Sequence, residues 1–191
     1  FVEDVALITP NCAIITRPGA PSRRGEVNEI EYILKHKFNN IEAIEAPGTI
    51  EGGDIMMVGN HYYIGLSERT NLEGAKQIIQ ILNKYRMSAS TISLKKVLHL
   101  KTGLSYLEKN NLVVCGEFKN NSLFEKFNPI EIPKKESYAA NCIWVNESVI
   151  IPLGYPTTKQ RIENAGYPVI ETDVAEFQKL DGGLSCLSLR Y

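Results

Sequence analysis

The sequence predicts an α/β fold built from repeats of two short strands, a helix and a further strand. Apolar residues alternate over short runs on both sides of Gly, Pro and Asn turns, which is typical of strand pairs. Most of these pairs are followed by a segment whose apolar residues have helical spacing. The whole unit recurs after about 45 residues with little sequence identity between copies, which indicates a repeat architecture.

Two repeats occupy the first half of the chain. Their strands are predicted at Val5–Ile8, Ala13–Thr16, Ile41–Ala46, Asp54–Val58 and His61–Gly65. The first helix is expected over about 26–37. The second follows Thr70-Asn71-Leu72-Glu73, which matches a capping box that begins at Thr70. Phe1 is expected to lie in a strand of its own.

Two further repeats fill the second half. Their strands are predicted at Val113–Cys115, Ile130–Ile132, Cys142–Val145, Ser148–Pro152 and Val169–Glu171. Short helices are expected to begin near Ser122, Thr158 and Asp173. The apolar segment Leu184–Leu189 is predicted as a closing strand, and it has no hairpin partner further along the chain.

The composition excludes several classes of protein. The 191 residues include 21 basic and 22 acidic side chains, for a net charge of −1, so the chain offers no cationic field for nucleic acid. Apolar stretches are shorter than the roughly 20 residues needed to cross a membrane. The four cysteines lie far apart, which argues against a zinc site and a disulfide scaffold and favours reduced thiols in a cytoplasmic protein.

Chemically active residues recur at matching positions of the repeats. Asp4, Glu51, His99, Asn141 and Cys186 follow one another at intervals of 47, 48, 42 and 45 residues. In a ring of repeats, equivalent positions lie around one axis, so these side chains would converge on a common cavity. The pattern therefore predicts a single central site.

The residue types at these positions indicate nucleophilic catalysis on a cationic substrate. A thiol from Cys186 and an imidazole from His99 would supply the nucleophile and the proton carrier. The two carboxylates would repel an anion, whereas a guanidinium meets carboxylates with paired hydrogen bonds. Arg23 and Arg69 each lie at a loop-to-helix step and could hold a carboxylate. An amino acid resembling arginine fits both ends of such a site.

Seven short stretches carry a family resemblance that spans the chain. They are Phe1-Val2-Glu3-Asp4, the segment 17–24 with Arg23, Glu51-Gly52-Gly53-Asp54, the segment 65–71 with Arg69, Leu98-His99-Leu100-Lys101, Ala139-Ala140-Asn141-Cys142 and Gly183-Leu184-Ser185-Cys186. Their order and spacing resemble the dimethylarginine dimethylaminohydrolases. These enzymes belong to a guanidino-group-modifying superfamily together with arginine deiminases and amidinotransferases.

The resemblance implies a five-unit α/β propeller, the pentein fold, and a role for each site residue. Cys186 would attack the guanidinium carbon to form a covalent thiouronium, and His99 would protonate the leaving amine and then activate water. Glu51 and Asp4 would bind the guanidinium, and Arg23 and Arg69 the α-carboxylate. Glu3 and the backbone at Leu180 are further expected substrate contacts. No cofactor is required, although zinc bound at Cys186 would inhibit.

The same resemblance sets expectations for the limits of the domain. About four of the five units are visible, so residues 1–191 are expected to form a single catalytic domain that lacks its N-terminal repeat. The oligomeric state is left open, with a homodimer as one candidate. Two other functions also stay open: an arginine deiminase or amidinotransferase, and a catalytically silent arginine-binding module.

Overall fold

The computed structural model describes residues 1–190, which contain twelve strands and four α-helices. The strands are β1 (Ala6–Ile8), β2 (Ala13–Ile15), β3 (Ile41–Ala43), β4 (Ile55–Val58), β5 (His61–Leu66), β6 (Ser88–Ser93), β7 (Leu104–Tyr106), β8 (Asn111–Val114), β9 (Asn128–Glu131), β10 (Ile143–Val145), β11 (Ser148–Pro152) and β12 (Val169–Thr172). The helices are α1 (Val27–Lys35), α2 (Leu72–Lys84), α3 (Pro156–Asn164) and α4 (Ala175–Gln178).

The strands form four small sheets with one shared topology. Each sheet has three strands in chain order, β1-β2-β3, β4-β5-β6, β7-β8-β9 and β10-β11-β12. The central strand is antiparallel to the strand before it and parallel to the strand after it. A parallel pair needs a crossover connection, which α1, α2 and α3 provide in three of the sheets. The predicted repeat of two strands, a helix and a strand is therefore confirmed in these three sheets. In β7-β8-β9 the crossover contains two 3-10 turns, Gly116–Phe118 and Ser122–Phe124, so the short helix expected near Ser122 is a single 3-10 turn.

The described residues divide into two compact units. The first consists of residues 1–100 together with 186–190, and it holds the sheets β1-β2-β3 and β4-β5-β6. The second consists of residues 101–185 and holds the other two sheets. Each unit thus contains two complete repeats. The expectation of one catalytic domain over residues 1–191 stays a prediction.

Each unit has its own apolar core. In the first, α2 buries Ala75, Ile78 and Leu82 completely, in one cluster with Tyr62 and Ile64 of β5. This face follows from apolar residues three and four positions apart on a helix. In the second unit, the buried cluster includes residues of β8, β9, β11 and α3, namely Val113, Ile130, Val149, Ile151 and Ile162.

The ends of two predicted helices differ from the structure. The first helix begins at Val27 because residues Pro21–Glu26 form a separate 3-10 helix that includes Gly25. The cap of α2 is Asn71 and not Thr70, since the Asn71 side chain accepts a hydrogen bond from the Gly74 amide at 2.8 Å. The hydroxyl of Thr70 donates elsewhere, to a buried carboxylate described below.

The segments around the predicted site residues also differ in type. Val2–Val5, which carries Asp4, is a 3-10 helix, so the strand predicted at Phe1 is wrong. His99 lies in the loop before a 3-10 turn at Leu100–Thr102 and not in a strand. Ser185–Leu187 is likewise a 3-10 turn, so the predicted closing strand over 184–189 is wrong. Among the described residues, no helix is long and apolar enough to cross a membrane.

Candidate active site

Two short 3-10 turns in the first unit place carboxylates at matching points of its two repeats. Asp4 lies in the turn Val2–Val5 immediately before β1, and Glu51 lies at the N-terminal end of the turn Gly52–Asp54 immediately before β4. The common topology explains why these residues recur 47 positions apart. Both side chains are buried, with Glu51 fully enclosed and Asp4 only 1% exposed.

The structure brings these two carboxylates together with His99. Nε2 of His99 lies 2.8 Å from Oε2 of Glu51, and the imidazole residue is 9% exposed. One side-chain atom from each of Asp4, Glu51 and His99 lies within 4.8 Å of the others. Such a spacing would suit a metal ion, but the two carboxylates already bind an organic cation, the guanidinium of Arg23.

Arg23 makes the cluster a guanidinium site in this structure. Its Nη1 lies 3.1 Å from Oδ2 of Asp4 and 3.4 Å from Oε2 of Glu51. Its Nε and Nη2 donate to the two carboxylate oxygens of Glu26 at 3.0 and 2.9 Å. The paired bond to Glu26, together with Asp4 and Glu51, raises the pKa of this guanidinium further. Arg23 was expected to hold a substrate carboxylate, and here its own partners are protein carboxylates.

Burial and the hydrogen bond to His99 act in opposite directions on Glu51. Burial raises the pKa of a carboxylic acid, but the His99 hydrogen bond and charge and the Arg23 charge outweigh it, so the pKa of Glu51 is lowered. For His99, burial lowers the pKa, but the Glu51 hydrogen bond and the charges of Asp54 and Asp4 raise it overall. These contacts therefore favour the protonated imidazole of His99, the form that can donate a proton.

Two glycines permit the close packing of this cluster. A Cβ added at Gly53 would lie 2.9 Å from Cγ and Nδ1 of the His99 ring and 3.1 Å from Oδ1 of Asp4. The Gly53 amide also donates to that oxygen at 3.0 Å. A Cβ at Gly52 would lie 2.0 Å from the carbonyl oxygen of Glu3. The glycines of Glu51-Gly52-Gly53-Asp54 are thus required for close approach, which the sequence motif alone did not explain.

The remaining predicted site residues are distributed over both units. Cys186 belongs to the first unit and is 9% exposed, within the 3-10 turn Ser185–Leu187. Glu3 is buried beside Asp4, and Arg69 is partly exposed in the turn before α2. A Cβ at Gly19 would lie 2.5 Å from the carbonyl oxygen of Arg69, so the loop that leads to Arg23 packs on the Arg69 turn. Leu180 lies in the second unit and is 70% exposed.

Asn141 binds Ser185 within the second unit. Its Oδ1 accepts a hydrogen bond from the Ser185 amide at 2.9 Å, and its Nδ2 lies 3.0 Å from Oγ of Ser185. Nδ2 of Asn141 also donates to the carbonyl oxygen of Lys101 at 3.0 Å. Asn141, predicted to face the common site, therefore fixes the residue that immediately precedes the thiol.

Sequence reasoning missed the buried Asp54. The sequence predicts Asp54 only as the last residue of a motif and the first of a strand, but it is fully buried and accepts three hydrogen bonds. Its signal in the sequence is an acidic residue directly before the buried strand β4, where a charge needs partners. Because Thr70 was predicted to begin a capping box, its hydroxyl was not recognised as one of those partners.

Comparison with known proteins identifies the class to which this fold and site belong. The family model for arginine deiminase matches residues 1–138, so the chain belongs to the arginine deiminase family. Among its relatives, the N(G),N(G)-dimethylarginine dimethylaminohydrolase of Pseudomonas aeruginosa is 61% identical over 192 residues, which cover all of this chain and 76% of that protein. The enzyme of the same name from Streptomyces coelicolor is 31% identical and is covered to 73%. The chain therefore belongs among the dimethylarginine dimethylaminohydrolases.

Solved structures confirm the predicted fold. A cysteine-to-serine variant of the Pseudomonas aeruginosa enzyme, crystallised with citrulline, superposes with a TM-score of 0.98 at 60% identity, over all of this chain and 75% of that one. The N-terminal domain of the cyanobacterial arginine dihydrolase ArgZ, with its product bound, gives a TM-score of 0.90 at 22% identity. At that identity the likeness concerns the fold alone.

Proposed function

We propose that the protein hydrolyses the guanidinium C–N bond of an Nω-methylated arginine, releasing citrulline and dimethylamine or methylamine. The observation that carries this proposal is the bound guanidinium of Arg23. Two buried carboxylates, Asp4 and Glu51, hold a guanidinium beside the imidazole of His99, so the cluster has the charge and hydrogen-bonding geometry that a methylated arginine side chain needs.

The reaction divides into two halves that share His99. The thiolate of Cys186 forms a bond to the guanidinium carbon, and the C–N bond to the methylated nitrogen breaks as His99 donates its proton to the leaving amine. This leaves a thiouronium on sulfur. Neutral His99 then takes a proton from water, whose oxygen bonds to the same carbon. Cleavage of the C–S bond returns the thiolate, and citrulline is released once the remaining hydroxyl proton has passed to the liberated amine or to solvent.

The carboxylate-binding role proposed for Arg23 requires that its guanidinium moves. Arg23 and a substrate guanidinium cannot both bond to Asp4 and Glu51 in the same place. We propose that the substrate displaces Arg23 from these carboxylates, which frees Arg23 to meet the substrate α-carboxylate together with Arg69. Glu3 and the backbone of Leu180 stay in the proposed substrate-binding set, and Glu51 and His99 act directly on the reacting group.

Parallel assays of citrulline release test this function. The complete protein is incubated with asymmetric dimethylarginine and with arginine, and Cys186→Ser serves as the control. Release from the methylated substrate, abolished in the control, is the expected result. Turnover of arginine alone would place the protein with the deiminases, and binding of arginine without turnover of either substrate would indicate an arginine-binding module.

Three accompanying expectations complete the proposal. We propose a cytoplasmic location, which is supported by the lack of a disulfide bond among the four cysteines of the described residues. A homodimer stays a prediction, as does inhibition by zinc bound at Cys186. A small-molecule substrate is sufficient to explain the residue types in the proposed site.

A further inference from the structure

Asp54 is a buried carboxylate that the mechanism above does not use. It is 0% exposed, and three donors of the first unit point to its two oxygens. Oδ1 accepts from the Leu100 amide at 2.9 Å, and Oδ2 accepts from the hydroxyls of Ser67 and Thr70, each at 2.6 Å. A fully buried carboxylate requires hydrogen-bond partners. All three partners of Asp54 are donors, which suits the ionised form of the carboxylate.

Each partner of Asp54 adjoins a proposed site residue. Leu100 directly follows His99 in the chain. Ser67 and Thr70 flank Arg69, and the Ser67 hydroxyl also accepts from the Arg69 amide at 3.0 Å.

The contacts extend to Glu51 through the hydroxyl of Thr70. The amide of Glu51 donates to the Thr70 hydroxyl at 3.2 Å, while Asp54 itself lies three residues after Glu51. Asp54 therefore joins the segments that carry the proposed proton donor, the guanidinium-binding carboxylate and one arginine of the carboxylate clamp.

Space around Asp54 is also restricted. A Cβ at Gly65, in β5, would lie 2.9 Å from Oδ1 of Asp54, so a side chain there would displace the carboxylate. The charge of Asp54 acts on His99 as well, together with the charges of Asp4 and Glu51, although burial raises the pKa of Asp54 itself. Packing and electrostatics thus both connect this residue to the imidazole.

We propose that Asp54 is the positioning residue that sets His99 and the Arg69 turn relative to Glu51. This inference rests on the proposed function. Asp54 contacts no substrate in the proposal and acts through its two arms, one to Leu100 and one to the hydroxyls of Ser67 and Thr70. The arms predict separable effects, because the first positions a group that reacts and the second positions a group that binds.

Kinetics of two variants test the two arms. Asp54→Asn removes the charge that both arms share and leaves one neutral oxygen for three donors, so we expect kcat/KM to fall by about 10²-fold. Ser67→Ala removes one of the two hydroxyls in the arm to the Arg69 turn and leaves the Leu100 arm intact. For this variant we expect KM for the methylated substrate to rise about tenfold while kcat stays within about twofold.

Glu136→Gln is the matched control. Glu136 is a buried carboxylate of the second unit that accepts hydrogen bonds from the Thr157 amide and from the amide and hydroxyl of Thr158. Glu136→Gln removes the charge from hydrogen bonds of the same kind, but their donors, Thr157 and Thr158, adjoin no proposed site residue in the chain. We therefore expect kcat and KM per folded molecule to stay within about twofold.

The outcomes decide between positioning and general stability. A folded Asp54→Asn variant with kcat/KM within threefold of the parent overturns the proposal, as does an equal loss in Glu136→Gln. If Asp54→Asn does not fold, Ser67→Ala decides, and an unchanged KM overturns it. An inactive parent protein would instead remove the proposed function, so the two failures are distinguishable.

Discussion

The buried carboxylates of the two compact units accept hydrogen bonds from different kinds of donor. In the first unit, Glu51 accepts from the imidazole of His99, the guanidinium of Arg23 and the amide of Gly19. In the second, Glu136 accepts from two backbone amides and a hydroxyl at the start of α3. Both solve the same problem, since a buried charge without partners is costly.

The difference between these donors distinguishes a functional carboxylate from a structural one. Backbone amides cannot leave Glu136 without unwinding the first turn of α3, so that carboxylate serves as a fixed cap. Two of the donors at Glu51 are able to change, because an imidazole can lose its proton and an arginine side chain can be displaced by another guanidinium. A buried carboxylate whose partners can titrate or exchange is thus the better candidate for a functional group.

The largest expected effect comes from removing the charge at each of these two carboxylates. Glu51→Gln should lower kcat by about 10³-fold, because it removes the negative charge that binds a guanidinium and favours the protonated form of His99. Glu136→Gln should leave kcat unchanged and lower only the melting temperature. Steady-state kinetics and circular dichroism melts on both variants measure this contrast. Equal losses of kcat would abolish the distinction between the units.

Arg23 provides the second test, with its neighbour Arg24 as the control. Arg23→Gln should raise KM for the methylated amino acid by about 10-fold to 100-fold, since a carboxylate contact is lost. The same variant should bind a guanidinium compound without a carboxylate, such as agmatine, more tightly, because the occupying side chain is gone. Arg24, whose Nε lies 3.5 Å from the Pro18 carbonyl, has neither role.

Titration calorimetry distinguishes these two effects of Arg23. The control variant Arg24→Gln should bind both ligands as the parent does. Weaker binding of agmatine to Arg23→Gln would mean that Arg23 does not compete for Asp4 and Glu51, and the exchange would then be discarded.

The raised pKa of His99 predicts a dependence of stability on pH that Glu136 cannot produce. Because the pKa is higher in the folded state than the ordinary value of 6.5, folding takes up a proton. The contribution is complete below the ordinary value and is lost as the pH rises through the folded-state pKa. Urea unfolding from pH 6 upward should show this loss, and Glu51→Gln should reduce it. A parent whose stability is flat over that window would contradict the ion pair.

The carboxylates and the imidazole of the site were predictable from the sequence because the repeat itself fixes them. Asp4 and Glu51 precede β1 and β4 of two sheets with the same topology, so equal spacing along the chain becomes equivalent placement in the fold. The alternation of short apolar runs was sufficient for most strands. The sequence pattern did not assign β7, or β6, whose residues are mostly small and polar.

The parts that were wrong depend on partners that a sequence does not display. The segment 184–189 is as apolar as a strand, but strand character requires a neighbouring ladder, and the described residues form the turn Ser185–Leu187 there. Thr70 fits a capping box, yet the Asp54 carboxylate competes successfully for its hydroxyl. Arg23 could bind either a substrate carboxylate or carboxylates of the protein. The sequence pattern does not indicate which of these a flexible arginine side chain binds.

The smallest expected effect concerns the side-chain caps of the two units, Asn71 and Asn121. Asn71 caps the 13-residue helix α2, whereas Asn121 accepts from the Leu123 amide at 3.0 Å in a single 3-10 turn. Asn71→Ala should therefore cost about 1 kcal/mol of unfolding free energy, and Asn121→Ala less. Neither should change kcat, because no cap bond reaches a reacting group. A lower kcat in Asn71→Ala, at a temperature where the variant is fully folded, would show that α2 helps to hold the adjacent Arg69 turn.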